Sequence, residues 1–203
     1  GLSAINGDFA LSGTATATAA AAISVGGDFT IGSTAAFTAG AFTHDIKGNL
    51  SNNGTFTTTG STIKLTGTAD QAIGGTATTT FVNLTIFKAS GTTTVGTSFN
   101  VSGTLTFTSG NISTGINTVS ITSTGTVSRA SGHVIGNLVK NVAAGANVAR
   151  TFEIGDATSY APLAVVFASV SVAGNFTAST TSGDHASIAS SDVNPAKSVN
   201  RYW

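Results

Sequence analysis

The chain has 203 residues, only 8% of them charged, and its eight Lys and Arg balance its eight Asp and Glu. A net charge of zero without a basic stripe argues against nucleic acid as a partner, because phosphate binding needs clustered cations. The lack of cysteine excludes a disulfide scaffold and thiolate metal sites. No apolar run approaches the roughly 18 residues of a membrane-spanning helix, so no membrane insertion is expected.

A repeated phrase opens the chain. Gly-Asp-Phe stands at 7–9 and 27–29, and Gly-Asn-Leu follows at 48–50. Steps of about 20 residues are typical of solenoids, since such a segment reaches roughly 66 Å when extended, enough for one turn of a three-sided coil. The sequence therefore predicts an all-β fold, a β-solenoid resembling a parallel β-helix. Its stacking core is predicted to include Phe9, Phe29 and Leu50.

Strand patterns follow one another along the chain. The tract 14–22 is rich in Ala and Thr, and its alternation favours a strand over a helix. Apolar and polar residues then alternate with period two in four segments, at 62–67, 81–87, 99–110 and 116–127. Gly-rich and Asn-rich turns separate these segments. The pattern predicts coils of about 20 residues throughout 1–128.

The composition changes near Arg129. Both prolines, the only Trp and the only Glu lie beyond this point, and charged residues become denser. Three segments are predicted to be longer antiparallel strands, at 150–156, 160–170 and 174–184. We therefore divide the chain into a β-solenoid repeat region, 1–128, and a β-rich C-terminal region, 129–203. The second region is predicted to be a small sandwich-like unit or a cap, because an open solenoid end is an unpaired strand edge.

Two long stretches carry a family resemblance. They are "NLTIFKASGTTTVGTSFNVSGTLTFTSGNISTGINTVSI" at 83–121 and "GNLVKNVAAGANVARTFEIGDATSYAPLAVVFASV" at 136–170, and "KSVNRYW" closes the chain at 197–203. In this order they resemble large secreted β-strand-repeat surface proteins of Bacteroidetes and related bacteria. The resemblance implies an extracellular, cell-surface protein of structural or adhesive type. In that family export often follows a type IX-like route, and the resemblance supplies no catalytic residues.

The repeated aspartates are the first candidates for chemistry. Asp8 and Asp28 are interpreted as corner residues, because Asn49 takes the third equivalent position and cannot transfer a proton. Calcium binding by Asp8 and Asp28 is the secondary interpretation; no catalytic residue, metal site or cofactor is predicted. The pairs His44-Asp45 and Asp184-His185 are interpreted as exposed turn residues, and His133 as a surface position. We expect no enzyme.

Low charge protects a surface poorly against self-association, so the sequence favours a subunit of a self-assembling surface layer or filament. Copies of the chain are the expected partners, held by strand or end-to-end contacts. The alternative is an adhesin or a carbohydrate-binding module of a larger cell-surface protein, with surface glycans as partners. The residues predicted to form the assembly interface come from the two ends of the chain: Leu2, Ile5, Phe9, Val199, Tyr202 and Trp203.

Overall fold

The computed structural model describes residues 3–203 and is an all-β protein in which parallel strands stack into a β-solenoid of about 8 turns. Leu2, one of the predicted interface residues, lies outside the described residues. Each of the first three coils contributes three short strands. These are β1 Ser3–Ile5, β2 Phe9–Leu11, β3 Thr16–Thr18, β4 Ile23–Val25, β5 Phe29–Ile31, β6 Ala36–Thr38, β7 Thr43–Ile46, β8 Leu50–Asn52 and β9 Thr55–Thr57.

The next three coils contain eight strands, which range from two residues in β12 to ten in β17. These are β10 Thr62–Leu65, β11 Gln71–Gly74, β12 Thr80–Phe81, β13 Asn83–Phe87, β14 Thr93–Val95, β15 Phe99–Val101, β16 Thr104–Ser109 and β17 Ile112–Ile121. The C-terminal part adds eight strands and two short 3-10 helices. These are β18 Thr126–Arg129, β19 Val134–Val142, β20 Gly145–Phe152, β21 Ile154–Gly155, β22 Leu163–Val170, β23 Gly174–Ala178, β24 Thr181–Ser182, η1 Ile188–Ser190, η2 Pro195–Lys197 and β25 Arg201–Tyr202.

Three parallel faces build the solenoid. Face A is one seven-stranded sheet in the order β1-β4-β7-β10-β13-β16-β18. Face B runs from β2 through β5, β8, β11 and β14 to β17, and β19 and β21 continue it. Face C begins with β3-β6-β9, and β12 and β15 later join the second half of β17. Strand β3 covers Thr16–Thr18, within the tract whose alternation favours a strand.

The core is a set of apolar columns along the axis of the solenoid. Phe9 pairs in register with Phe29, and Phe29 with Leu50, so these three residues occupy one column. The rings of Phe9 and Phe29 stack with their centroids 4.8 Å apart. Period-two alternation works here because each inward residue meets the inward residue of the next coil.

Glycine at one corner allows neighbouring coils to approach closely. A Cβ atom on Gly48 would lie 2.4 Å from the carbonyl carbon and oxygen of Gly27 in the coil before it. Real Cβ atoms do not come that close to backbone, so the corner requires glycine at this position. The Gly of the repeated phrase is thus explained by coil spacing.

The solenoid continues past the boundary that the sequence places at 128. Strand β19 pairs in parallel with β17 from Ile112↔Val134 to Ile121↔Lys140, and β21 pairs in parallel with β19. The change near Arg129 therefore marks the approach of a cap rather than the end of the parallel ladder. The cap consists of antiparallel pairs, β20 with β22 and β23 with β19. Phe152 and Phe176 pack against each other in the cap, with ring centroids 5.4 Å apart.

Candidate functional site at the two ends of the solenoid

The first coil, β1–β3, leaves its outer edge unpaired. Each of its strands is the terminal strand of its face, so within residues 3–203 no strand pairs with that edge. Ile5, Phe9 and Leu11 are only half-buried here. Their counterparts one coil further on, Val25, Phe29 and Ile31, are 1%, 4% and 0% exposed. Within residues 3–203, the end of the apolar core is therefore accessible at this coil, and alternate backbone N–H and C=O groups of its strands point outward.

The corner residues Asp8, Asp28 and Asn49 form a ladder of hydrogen bonds between coils. Asp8 Oδ1 accepts from the N–H of Asp28 at 2.8 Å, and Asp28 Oδ1 accepts from the N–H of Asn49 at 2.7 Å. Asn49 Oδ1 accepts in turn from the N–H of Ala72. An amide oxygen performs this task as well as a carboxylate oxygen, which explains why Asn can stand in the third coil. The arrangement is that of corner residues that satisfy backbone donors.

Two of the three histidines, His44 and His133, are buried rather than exposed as the sequence suggests, whereas His185 is exposed as expected. His44 was expected in an exposed turn, but it is buried in β7, in register with Ile63. The N–H of Ile23 donates to His44 Nδ1, and His44 Nε2 lies 2.8 Å from the carbonyl oxygen of Ala39. His133 is also buried, with Nε2 2.7 Å from the carbonyl oxygen of Asp156. Both rings cross-link the backbone of neighbouring segments.

No group of three or more His, Asp or Glu side chains within residues 3–203 could hold a metal ion. Over the same range, no helix combines the length and the apolar character needed to cross a bilayer.

A buried lysine is the least expected polar group. Lys88 is 2% exposed, and its ammonium donates to the carbonyl oxygens of Gly67 and Ala69, both at 2.7 Å. Its third bond goes to Oε1 of Gln71 at 2.8 Å. Burial lowers the pKa of Lys88, and the nearby charge of Asp70 opposes this shift. The hydrogen bonds of the Lys88 side chain therefore link the fifth coil to the fourth at a corner of the solenoid.

The C-terminal tail lies against the last coil. Strand β25 pairs with β24 through Tyr202↔Thr181, and the indole N–H of Trp203 donates to the carbonyl oxygen of Ala161 at 3.1 Å. Val199 and Trp203 remain 78% and 53% exposed. Tyr202 and Trp203, two of the predicted interface residues, are thus held beside the cap, at the end of the solenoid opposite to Ile5 and Phe9.

One ion pair fastens this tail. Arg201 donates to Asp156 Oδ2, while Asp156 Oδ1 accepts from the backbone N–H groups of Thr158 and Ser159 at 2.8 Å each. The hydrogen bond from Arg201, with further bonds from Thr158 and Ser159, holds the pKa of Asp156 well below its ordinary value. Because the native pKa is lowered, this contribution to stability is present above about pH 4. It is lost as the pH falls toward the native pKa.

We expect Asp156→Asn to detach the tail while leaving the turn intact, because the amide keeps Oδ1 and loses only the charged pair with Arg201. Hydrogen exchange measured by mass spectrometry should become at least tenfold faster at the backbone amides of β24 and β25. Asp192→Asn is the matched control, since Asp192 is exposed and makes no ion pair within residues 3–203. Equal exchange in both variants would contradict the role given to Asp156.

Comparison with protein-family models, with curated proteins and with solved structures finds no match to this chain. The sequence patterns do not single out Lys88 as a buried residue, although a signal for its burial is present. Leu84, Ile86 and Lys88 follow one another at every second position of "LTIFK". Because Leu84 and Ile86 point into the core, period-two alternation places Lys88 on the same inward face.

Proposed function

We propose that this chain is a structural extracellular protein whose copies assemble end to end into a surface layer or filament. The observation that supports this most is the edge of the first coil, which no strand within residues 3–203 covers and where Ile5, Phe9 and Leu11 are half-buried although their counterparts in the second coil are buried. An edge that combines unpaired backbone with accessible apolar side chains is a template for strand addition.

The partner in this proposal is a second copy of the chain. The cap of each copy carries exposed apolar side chains, Val199 and Trp203, at the end opposite to the first coil. A contact between unlike ends is heterologous, and a heterologous contact that does not close produces a filament. Near-zero net charge leaves little repulsion between copies. The solenoid between the two ends would serve as a stiff spacer.

A proline in the open edge tests this assembly. Phe9 donates its N–H to Asp28 in the second coil, so the N–H of the next residue, Ala10, points to the open side. We expect Ala10→Pro to raise the concentration needed for association at least tenfold, measured by sedimentation velocity. Ala10→Ser is the matched control, because it changes the same exposed residue and keeps the N–H. Association that is the same in both variants would overturn the proposed edge contact.

A second candidate function is glycan binding by an adhesin-like module. It is favoured by Trp203, whose indole is oriented by its bond to Ala161 and remains 53% exposed, since fixed exposed aromatic rings are suited to stacking on sugars. Trp203→Ala should abolish binding on a glycan array, whereas Trp203→Phe, which keeps a ring, should retain part of it. An array without any bound glycan for the unmodified chain would count against this candidate.

A further inference from the structure

A groove of about 340 Å³ lies beside β18, the last strand of face A. The turn before β18 supplies Thr122 and Ser123, and β18 supplies Thr126 and Val127. Asn141 and Arg150 line the groove from the cap. A volume of this size falls within the range of small-molecule sites. The groove is formed by other residues than those of the proposed assembly interface.

Arg150 is fixed at this groove without a carboxylate partner. Its Nε donates to the carbonyl oxygen of Asn141 and its Nη1 to the carbonyl oxygen of Ala149, both at 2.8 Å. None of the ion pairs within residues 3–203 involves Arg150. The neighbouring Lys140, in contrast, is neutralised by Glu153, whose Oε2 lies 2.6 Å from Nζ. The groove therefore contains one preorganised guanidinium whose charge is not compensated.

The chemistry of the lining selects the kind of ligand. The guanidinium of Arg150 still has free N–H donors, and their planar arrangement matches a single carboxylate. Because hydrogen bonds already hold this side chain in place, less conformational entropy is lost when a ligand binds. The hydroxyl groups of Thr122, Ser123 and Thr126 can exchange hydrogen bonds with sugar hydroxyls. Val127 offers an apolar contact to the C–H face of a sugar ring. A single free cation does not suit nucleic acid, which needs several.

We propose that this groove binds a carboxylated sugar, such as a uronic acid residue of an acidic polysaccharide, with the carboxylate on Arg150. The site goes beyond the structural role and does not depend on it, because assembly is assigned to the first coil and to the tail. An assembled layer with such a site would hold an acidic polysaccharide on its surface.

Calorimetric titration with a galacturonic acid trimer at neutral pH and low salt tests this proposal, with a neutral galactose trimer as the parallel probe. We expect the acidic trimer to bind and Arg150→Gln to weaken its binding at least tenfold. Arg150→Lys keeps the charge and removes the fork, so an intermediate loss is expected. Lys197→Gln removes the same charge from an exposed residue outside the groove and should bind like the unmodified chain.

A further variant separates binding from folding. Thr126→Glu leaves Arg150 in place and provides a competing carboxylate, so it should also weaken binding at least tenfold while the melting temperature stays unchanged. Equal affinity for the neutral trimer, or unchanged binding by Arg150→Gln, would overturn the proposal. So would binding of inorganic phosphate or of a glutamate-rich peptide in place of the acidic trimer. Loss of assembly in the Ala10→Pro variant, without loss of trimer binding, would show that the two roles are separate.

Discussion

Replacing Phe29 by alanine is expected to lower the free energy of unfolding by about 3–5 kcal/mol, the range for truncating a buried phenylalanine. Phe29 is 4% exposed and its ring lies between three others. The centroids of Phe9, Phe37 and Phe56 lie 4.8, 5.3 and 5.5 Å away. The variant removes the central ring of this cluster, which joins the first three coils. Urea unfolding followed by circular dichroism measures the change.

Asp28→Asn is the matched control for this substitution. Asparagine keeps the Oδ1 acceptor for the N–H of Asn49, so the free energy of unfolding should change by less than about 0.5 kcal/mol. Hydrogen exchange should further show that Phe29→Ala loosens the first three coils more than the cap, because each repeat contacts mainly its neighbours. A large loss of stability in Asp28→Asn would show that the aspartate does more than occupy the corner, for example by binding calcium.

Lys88→Met is expected to lower the free energy of unfolding by about 2–3 kcal/mol, although it removes a buried charge. The methionine fills a similar volume but leaves the carbonyl oxygens of Gly67 and Ala69 without their donor. Gly67 is buried, so its unpaired carbonyl oxygen carries a desolvation penalty. This penalty and the loss of three hydrogen bonds at once outweigh the gain from removing the desolvated ammonium. Urea unfolding at neutral pH gives the difference.

Lys64→Met is the control for this second substitution. The Lys64 side chain is 31% exposed and its Nζ lies 3.9 Å from Asp45, so the free energy of unfolding should change by less than about 1 kcal/mol.

The pH dependence of stability gives an independent test of the role of Lys88. Because burial lowers the pKa of Lys88, the native state releases this proton at a lower pH than the unfolded chain. The lysine therefore adds stability as the pH rises toward 10.5, and Lys88→Met should lack this rise. A Lys88→Met variant as stable as Lys64→Met would contradict the cross-linking role.

The sequence was sufficient to predict the solenoid because its signals are local and repeated. The column Phe9, Phe29 and Leu50 follows from a step of about 20 residues and from period-two alternation. The corner residues follow from the same phrase. Each of these features depends on one coil meeting its neighbour, so a periodic sequence determines them.

The remaining features depend on contacts that the repeat does not encode. Composition changes near Arg129, yet β19 continues the parallel ladder, because backbone pairing does not require the Thr-rich composition of the earlier coils. The side chain of His44 points inward in β7, because alternation along a strand, rather than the polarity of a residue, decides which face of the sheet its side chain occupies. The environment of Arg150 depends on how the antiparallel cap folds back on the last coils, a contact between segments distant in sequence.

Electron microscopy of the purified chain over a range of concentrations tests the proposed function most directly. We predict rods whose length increases with concentration in steps of one solenoid, with the first coil of one copy against the cap of the next. Particles of the Ala10→Pro variant should remain single rods at the same concentrations. Single rods of the unmodified chain at every concentration would contradict self-assembly through the open edge.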